Sequence, residues 1–125
     1  MTFTAWARQG YAAACRQYNL PAYWRASALG TENVTAAVLQ LLAENPQITA
    51  LVTPQDSGVP GILKAVAALG LRIPDDISIV GLLDEAVAEM TTPPLTALGF
   101  YSREMGEVAV DMLVAHLNDE TLAAQ

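Results

Sequence analysis

The sequence predicts an α/β fold: a three-layer sandwich in which helices cover a small parallel sheet. Three observations support this. Apolar stripes at helical spacing alternate along the chain with short β-branched runs, the pattern of strands joined by helical crossovers. Each run ends in a polar or glycine-bearing loop, most plainly in LRIPDDISIVGLLDEAVAEMTTPPLT, Leu71 to Thr96, where turn residues bracket an apolar strand. With 125 residues, 53% hydrophobic and 15% charged, the chain carries enough apolar surface for one core.

The first helix is expected from Thr4 to Tyr18, with Trp6, Tyr11, Ala14, Cys15 and Tyr18 as its apolar stripe. Gly10 inside it is costly and points to close approach of another element. Asn19 to Pro21 end the helix, and Ala22 to Ala28 read as an extended first strand. Thr31 is the expected cap of a second helix whose core face is Val34, Val38, Leu41 and Leu42, stopped by Asn45 and Pro46. Ile48 to Thr53 reads as a central strand ending in the polar loop Pro54 to Ser57. Asp56 or Ser57 then caps a third helix striped with Val59, Ile62, Leu63, Val66 and Leu69, and Gly70 takes its C-terminal cap position.

Pro74 fixes its own φ and biases Ile73 toward extended geometry, so the helix has ended by that point. Asp75 and Asp76 turn the chain. Ile77, Ile79 and Val80 are nearly continuous in apolarity, the signature of a strand buried on both faces, and Gly81 permits a sharp departure. Ala97 to Phe100 form a possible short fourth strand. Ser102 is the expected N-cap of a last helix with Met105, Val108, Met112 and Leu113 inward, fraying from Asn118.

Composition excludes several functions. Thirteen acidic against six basic residues give a net charge of −7, which repels a polyanion, so this chain by itself should not bind DNA. No apolar run approaches the roughly 20 residues that cross a bilayer, and the start lacks a signal peptide's pattern, which leaves a cytoplasmic location by default and no membrane partner. The single cysteine, Cys15, reads as a small core residue. His116 is the only histidine, placed late in a helix where the dipole accounts for it. There is no triad, nucleophile elbow, phosphate loop or metal-ligand spacing, so neither an enzyme nor a cofactor or metal site is expected. The pairs Asp75 with Asp76 and Asp84 with Glu85 suit turns and caps.

The run Gly70 to Gly81, with Pro94, Leu95 and Thr96, resembles the LacI/GalR family of bacterial transcription regulators, whose effector domain carries G-hydrophobic-x-[IV]-P-x-D-[IV]-S-[IV]-[IV]-G-F-D-D followed by P-x-L-T. Ala7 to Tyr11 resembles the family's R-x-x-G-[FY] helix start. Thr49 to Gly58 resembles its T-A-[IL]-[VF]-x-x-N-D-x-x-A-x-G stretch, and Met105 to Leu113 its E-x-G-x-x-A-x-x-x-L helix. Order and spacing together carry the assignment over nearly the whole chain.

The resemblance implies a periplasmic-binding-protein-like, Rossmann-like lobe. Residues 1–100 would be the C-terminal lobe of the effector domain and 101–125 a helix belonging to the N-terminal lobe. The DNA-binding headpiece and nearly all of the first lobe are expected to lie outside this chain. A last helix separated from its own sheet is expected either to dock back or to self-associate. In the family an arginine, an Asn-Asp pair and the first Asp of Phe-Asp-Asp hold a sugar hydroxyl or a purine edge, which carries over to Arg8, Gln55, Asp56, Leu83 and Asp84. The match is partial. Ala7 stands where the arginine would be, with Arg8 one place on; Gln55 keeps an amide; Leu83 replaces the carboxylate, and Asp84 substitutes only if the loop shifts. A polyol should therefore bind less well than in the family pattern; the expected effector is less polar than a simple hexose or is held mainly by the absent lobe, the remaining alternative being that no effector is bound.

Dimer contacts in the family map to about Gly58 to Leu69 and Ala86 to Thr92, giving Gly58, Val59, Ile62, Met90 and Thr91 as interface candidates. The leading reading is thus the effector-sensing and dimerisation portion of a LacI-type regulator, with a small effector, a second copy of itself, and operator DNA through the headpiece as partners. The alternative is a periplasmic sugar-binding protein of an ABC transporter. A flavodoxin-like enzyme or receiver would need an acidic or phosphate-binding cluster at the strand ends.

Overall fold

The computed structural model describes residues 3–99 and 101–118. Phe100, the expected end of the fourth strand, and the expected fraying tail past Asn118 lie outside the described residues. The elements are α1 (Phe3–Gln17), α2 (Thr31–Glu44), β1 (Ala50–Thr53), a 3-10 turn (Asp56–Gly58), α3 (Val59–Ala68), β2 (Ser78–Gly81), α4 (Glu85–Met90), β3 (Thr96–Ala97) and α5 (Ser102–Asn118).

The strands pair in parallel in the order β1-β2-β3, with Thr53 beside Gly81 and Gly81 beside Ala97. Steps in one direction across a parallel sheet place right-handed crossovers on one face. Leu51, Thr53, Ile79 and Gly81 accordingly point into a core shared with Val38 and Leu42 of α2 and Val59, Ile62, Ala65 and Val66 of α3. On the opposite face Val52 is 56% exposed and Val80 37%. The expectation that the strand of Ile77, Ile79 and Val80 is buried on both faces is corrected: apolar composition identified the strand, but among the described residues only one face is covered.

The two helices of the covered face meet at Gly61. A Cβ there would stand 2.6 Å from Val34 Cβ and 2.8 Å from the Thr31 carbonyl oxygen. The buried Thr35 hydroxyl donates within the same contact, 2.8 Å from the Thr31 carbonyl and 3.1 Å from that of Gly61. Thr31 itself is the first helical residue, not the cap. Gly30 holds the cap position at φ 109° without a side-chain bond. At the other end of α3 the expected glycine stop is present: Gly70 adopts φ 67°, its N–H reaches the Ala67 carbonyl at 3.0 Å, and the Leu71 N–H reaches that of Val66 at 3.1 Å. Those paired bonds satisfy carbonyls that a helix end leaves open, in the geometry of a Schellman motif.

The turn into β2 is closed by the residues expected to turn it. Asp76 Oδ2 accepts from the Arg72 backbone N–H at 2.8 Å and from its Nε at 2.9 Å, while Oδ1 accepts from Nη2 at 3.0 Å. The guanidinium bonds, followed by the backbone N–H, hold the Asp76 carboxyl below its ordinary 3.8, and Arg72 is correspondingly raised.

Three other expectations are corrected. Residues 22–28 form no strand among the described residues, because side chains tether the segment in place of a backbone ladder: Gln47 Nε2 donates to the Tyr23 hydroxyl at 2.6 Å, Arg25 pairs with Glu44, and Arg8 lies over Trp24. Among the described residues Gly10 has nothing within 4 Å of its would-be Cβ, and of the α1 stripe only Cys15 is buried, outside the main core cluster. Along α5 every residue from Tyr101 to Leu117 is exposed, Met105, Val108, Met112 and Leu113 included, so this helix does not dock back onto the lobe.

Gly61→Ala should destabilise the chain by about 1–3 kcal/mol in urea unfolding, since Val34 and the Thr31 carbonyl leave no room for a methyl; unchanged stability would show that the helices yield freely. The Asp76 contribution is present above the carboxyl's unfolded value and is lost as pH falls through its depressed folded value. Arg72→Ala should therefore flatten the acid limb of the stability-versus-pH curve below about pH 4, measured by thermal melts across that range.

Candidate effector site at the strand ends

In a parallel α/β sheet the carboxyl ends of the strands, where loops leave the core, are where ligands are held. Here the ends of β1 and β2 are adjacent, and the Leu82 N–H donates to the Thr53 carbonyl at 2.9 Å. Beyond β1, the buried Thr53 hydroxyl bonds the Gln55 carbonyl at 3.0 Å and lies 3.5 Å from the Gln55 N–H. This bracing is tight enough that a Cβ on Gly58 would stand 2.8 Å from Thr53 Oγ1. Gln55 is half-buried, with Oε1 accepting from Ser57 Oγ at 3.5 Å.

Asp56 is exposed, and its carboxylate has no hydrogen bond or ion pair among the described residues. Neither it nor Ser57 caps α3. The cap position falls to Gly58 and carries no side-chain bond, because the 3-10 turn separates the two residues from the helix start. Asp56 is thus free to serve something other than its own backbone.

At the end of β2 the side chains fall differently from expectation. Leu83 is 0% exposed and lies in the core beneath Gly81, whose would-be Cβ would stand 2.3 Å from Leu83 Cγ. Strand alternation continues past Gly81, which sends Leu83 inward and leaves it no surface to offer a ligand. Its place among effector contacts is corrected: it is a core residue. Asp84 is exposed but committed, its Oδ1 accepting the Ala86 N–H at 3.0 Å as the N-cap of α4. Arg8 stacks its guanidinium 3.5 Å from the Trp24 ring centroid, a cation-π contact, and makes no hydrogen bond to the strand ends among the described residues. The structure therefore brings Gln55 and Asp56 together at the end of β1, leaves Arg8 against Trp24 and turns Leu83 into the core. Thr53 and Gly58, which shape the loop, were not singled out as its supports; a hydroxyl on the last strand residue before a polar loop was the available signal.

Of the interface candidates, Val59 and Ile62 are corrected: both are core side chains of α3, covered by α2 and the sheet. Gly58 is half-buried. Met90 is 85% exposed, and half-buried Thr91 donates to the carbonyls of Ala88 at 2.8 Å and Pro93 at 2.9 Å. No group of three metal-binding side chains and no helix long and apolar enough to cross a membrane occurs among the described residues.

Residues 2–125 match the periplasmic binding protein-like domain family. Over 78 residues, 62% of this chain, the sequence is 41% identical to the lactose operon repressor of Rhizobium radiobacter, covering 69% of that protein. The chain belongs to the LacI/GalR family. A second LacI/GalR relative, the ribose operon repressor of Escherichia coli strain K12, is 34% identical over 71% of this chain, a stretch that spans 27% of the relative's length. Among solved structures, the LacI family regulator from Arthrobacter sp. FB24 in complex with lactose superposes with a TM-score of 0.78 at 26% identity, covering 86% of this chain and 39% of that one. The cellobiose complex of the regulator CelR superposes at 0.74 with 27% identity, covering 91% of this chain and 36% of that one. This LacI/GalR chain thus spans well under half the length of those solved relatives. These relatives are regulators and repressors, which favours the regulator reading over a transport protein.

The two carboxylates at the strand ends should separate under substitution. Asp84→Ala should lower stability by about 0.5–2 kcal/mol through loss of the α4 cap, whereas Asp56→Ala should stay within about 0.5 kcal/mol of the parent. Chemical denaturation of both variants measures the difference, and equal losses would mean Asp56 has a structural role.

Proposed function

We propose that the chain is the effector-sensing part of a cytoplasmic LacI-type repressor, with residues 1–100 as the C-terminal lobe and 101–125 as a helix belonging to the other lobe. The observation that carries this reading is the uncommitted Asp56 carboxylate beside Gln55 at the end of β1, in a family whose solved relatives include lactose, cellobiose and ribose complexes. An exposed carboxylate accepts two sugar hydroxyls, and the neighbouring amide both donates and accepts. A sugar seated there and gripped by a second lobe favours the closed arrangement by its extra affinity for it. In a homodimer joined in part through exposed Met90 and half-buried Thr91, closure alters the spacing of two headpieces on an operator, where half-site separation decides binding. DNA contact belongs to the headpieces: this chain, at net charge −7, contributes none.

Titration calorimetry of the complete gene product carrying this chain, with lactose, cellobiose and ribose, tests the reading. Binding of at least one sugar, weakened about tenfold or more by Asp56→Ala and accompanied by altered operator affinity, is the expected result. Sugar affinity indifferent to Asp56→Ala would remove the site from these strand ends.

A further inference from the structure

The strand ends differ sharply in polarity from one strand to the next. Beyond β1 stand Gln55 and the uncommitted Asp56. Beyond β2 the first two positions are apolar, with Leu82 half-buried and Leu83 enclosed in the core, and the exposed Asp84 that follows has Oδ1 engaged by the Ala86 N–H. Beyond β3 comes Leu98, 66% exposed. Backbone bonds fix these positions side by side, Leu82 N–H to the Thr53 carbonyl at 2.9 Å and Leu98 N–H to the Gly81 carbonyl at 2.8 Å. The rim therefore runs from a carboxylate and amide to two adjoining leucines within three neighbouring strands.

We infer that the effector is amphiphilic: a glycoside whose sugar hydroxyls meet Gln55 and Asp56 and whose apolar aglycone lies on Leu82 and Leu98. The inference rests on the sugar-binding reading of the same site and adds the class of ligand. Two arguments carry it. A hydroxyl-rich ring over Leu82 and Leu98 would lose water without gaining a partner, which selects against an unsubstituted sugar spanning the rim. An apolar group in the same place removes its own surface and that of an exposed leucine from water, and such burial accumulates with area. The buried position of Leu83 strengthens the argument, because the two residues that directly follow β2 place no polar side chain on this half of the rim.

Matched pairs of methyl and phenyl β-D-galactoside, and of methyl and phenyl β-D-glucoside, titrated calorimetrically into the complete gene product, test the inference. The phenyl member of at least one pair should bind about tenfold or more tightly than its methyl partner. That ratio should fall toward one in Leu98→Asn, an exposed position where substitution leaves the core alone, and in Leu82→Asn. Equal affinity for phenyl and methyl members would overturn the inference and leave the sugar-binding reading in place. A phenyl preference that survives both substitutions would also overturn it, since the aglycone would then sit elsewhere. Failure of all four glycosides, and of lactose, cellobiose and ribose, to bind would overturn the sugar-binding reading and the inference with it.

Discussion

The packing of α2 on α3 at Gly61 is the contact on which the rest of the lobe depends. With no side chain at Gly61, the helices close until Val34 and the Thr31 carbonyl touch the α3 backbone, and the Thr35 hydroxyl is satisfied inside the seam. Two helices held this closely present one continuous apolar layer to the sheet. Ile77, Val66 and Leu83, the largest fully buried side chains, sit in or beside that layer. Because Leu83 is among them, the path of the chain after β2 is fixed by the core, and the polarity of the rim at the strand ends follows from packing a few residues away.

Much of this organisation was legible in the sequence, because it is written in local chemistry. Gly70 stops α3 by adopting positive φ, Asp76 closes the turn it was assigned, and Val38, Leu42, Val59, Ile62 and Val66 are buried as their periodicity demanded. The motif residues placed β2 and its neighbours correctly, and Gln55 and Asp56 fall in the loop that leaves β1. What escaped was whatever depends on a partner element. Apolarity cannot tell a strand covered on one face from one covered on both, so Val80 was assigned cover on a face that the described residues leave open, with Val52 exposed beside it. The Ala22 to Ala28 segment has strand-forming residues, but its side chains are tethered to Arg8 of α1, Glu44 of α2 and Gln47 in the loop after α2. The assignment of Leu83 to the ligand came from the residue it replaces. A leucine at the same point in the alternation is drawn into the core, where an aspartate would pay a heavy desolvation penalty.

Charged groups divide along the same line between structure and recognition. Arg72 with Asp76, Arg25 with Glu44, and Asp84 on the α4 N-terminus are committed to holding turns and segments in place. Arg8 stabilises Trp24 against α1. Asp56 is the carboxylate at the strand ends left over from this arrangement, and it stands where the fold family exposes its loops to a cleft.

The Thr53 hydroxyl gives that loop a further property. It bonds the Gln55 carbonyl from within the last residue of β1, and Gly58 leaves it the space to do so. The loop is therefore shaped when the sheet forms, before any ligand arrives, and the entropy of ordering it belongs to folding and not to association. A preorganised loop of this kind discriminates by rigid fit, so in the two-lobe arrangement we propose, the adaptation that different effectors require has to come from the opposing lobe.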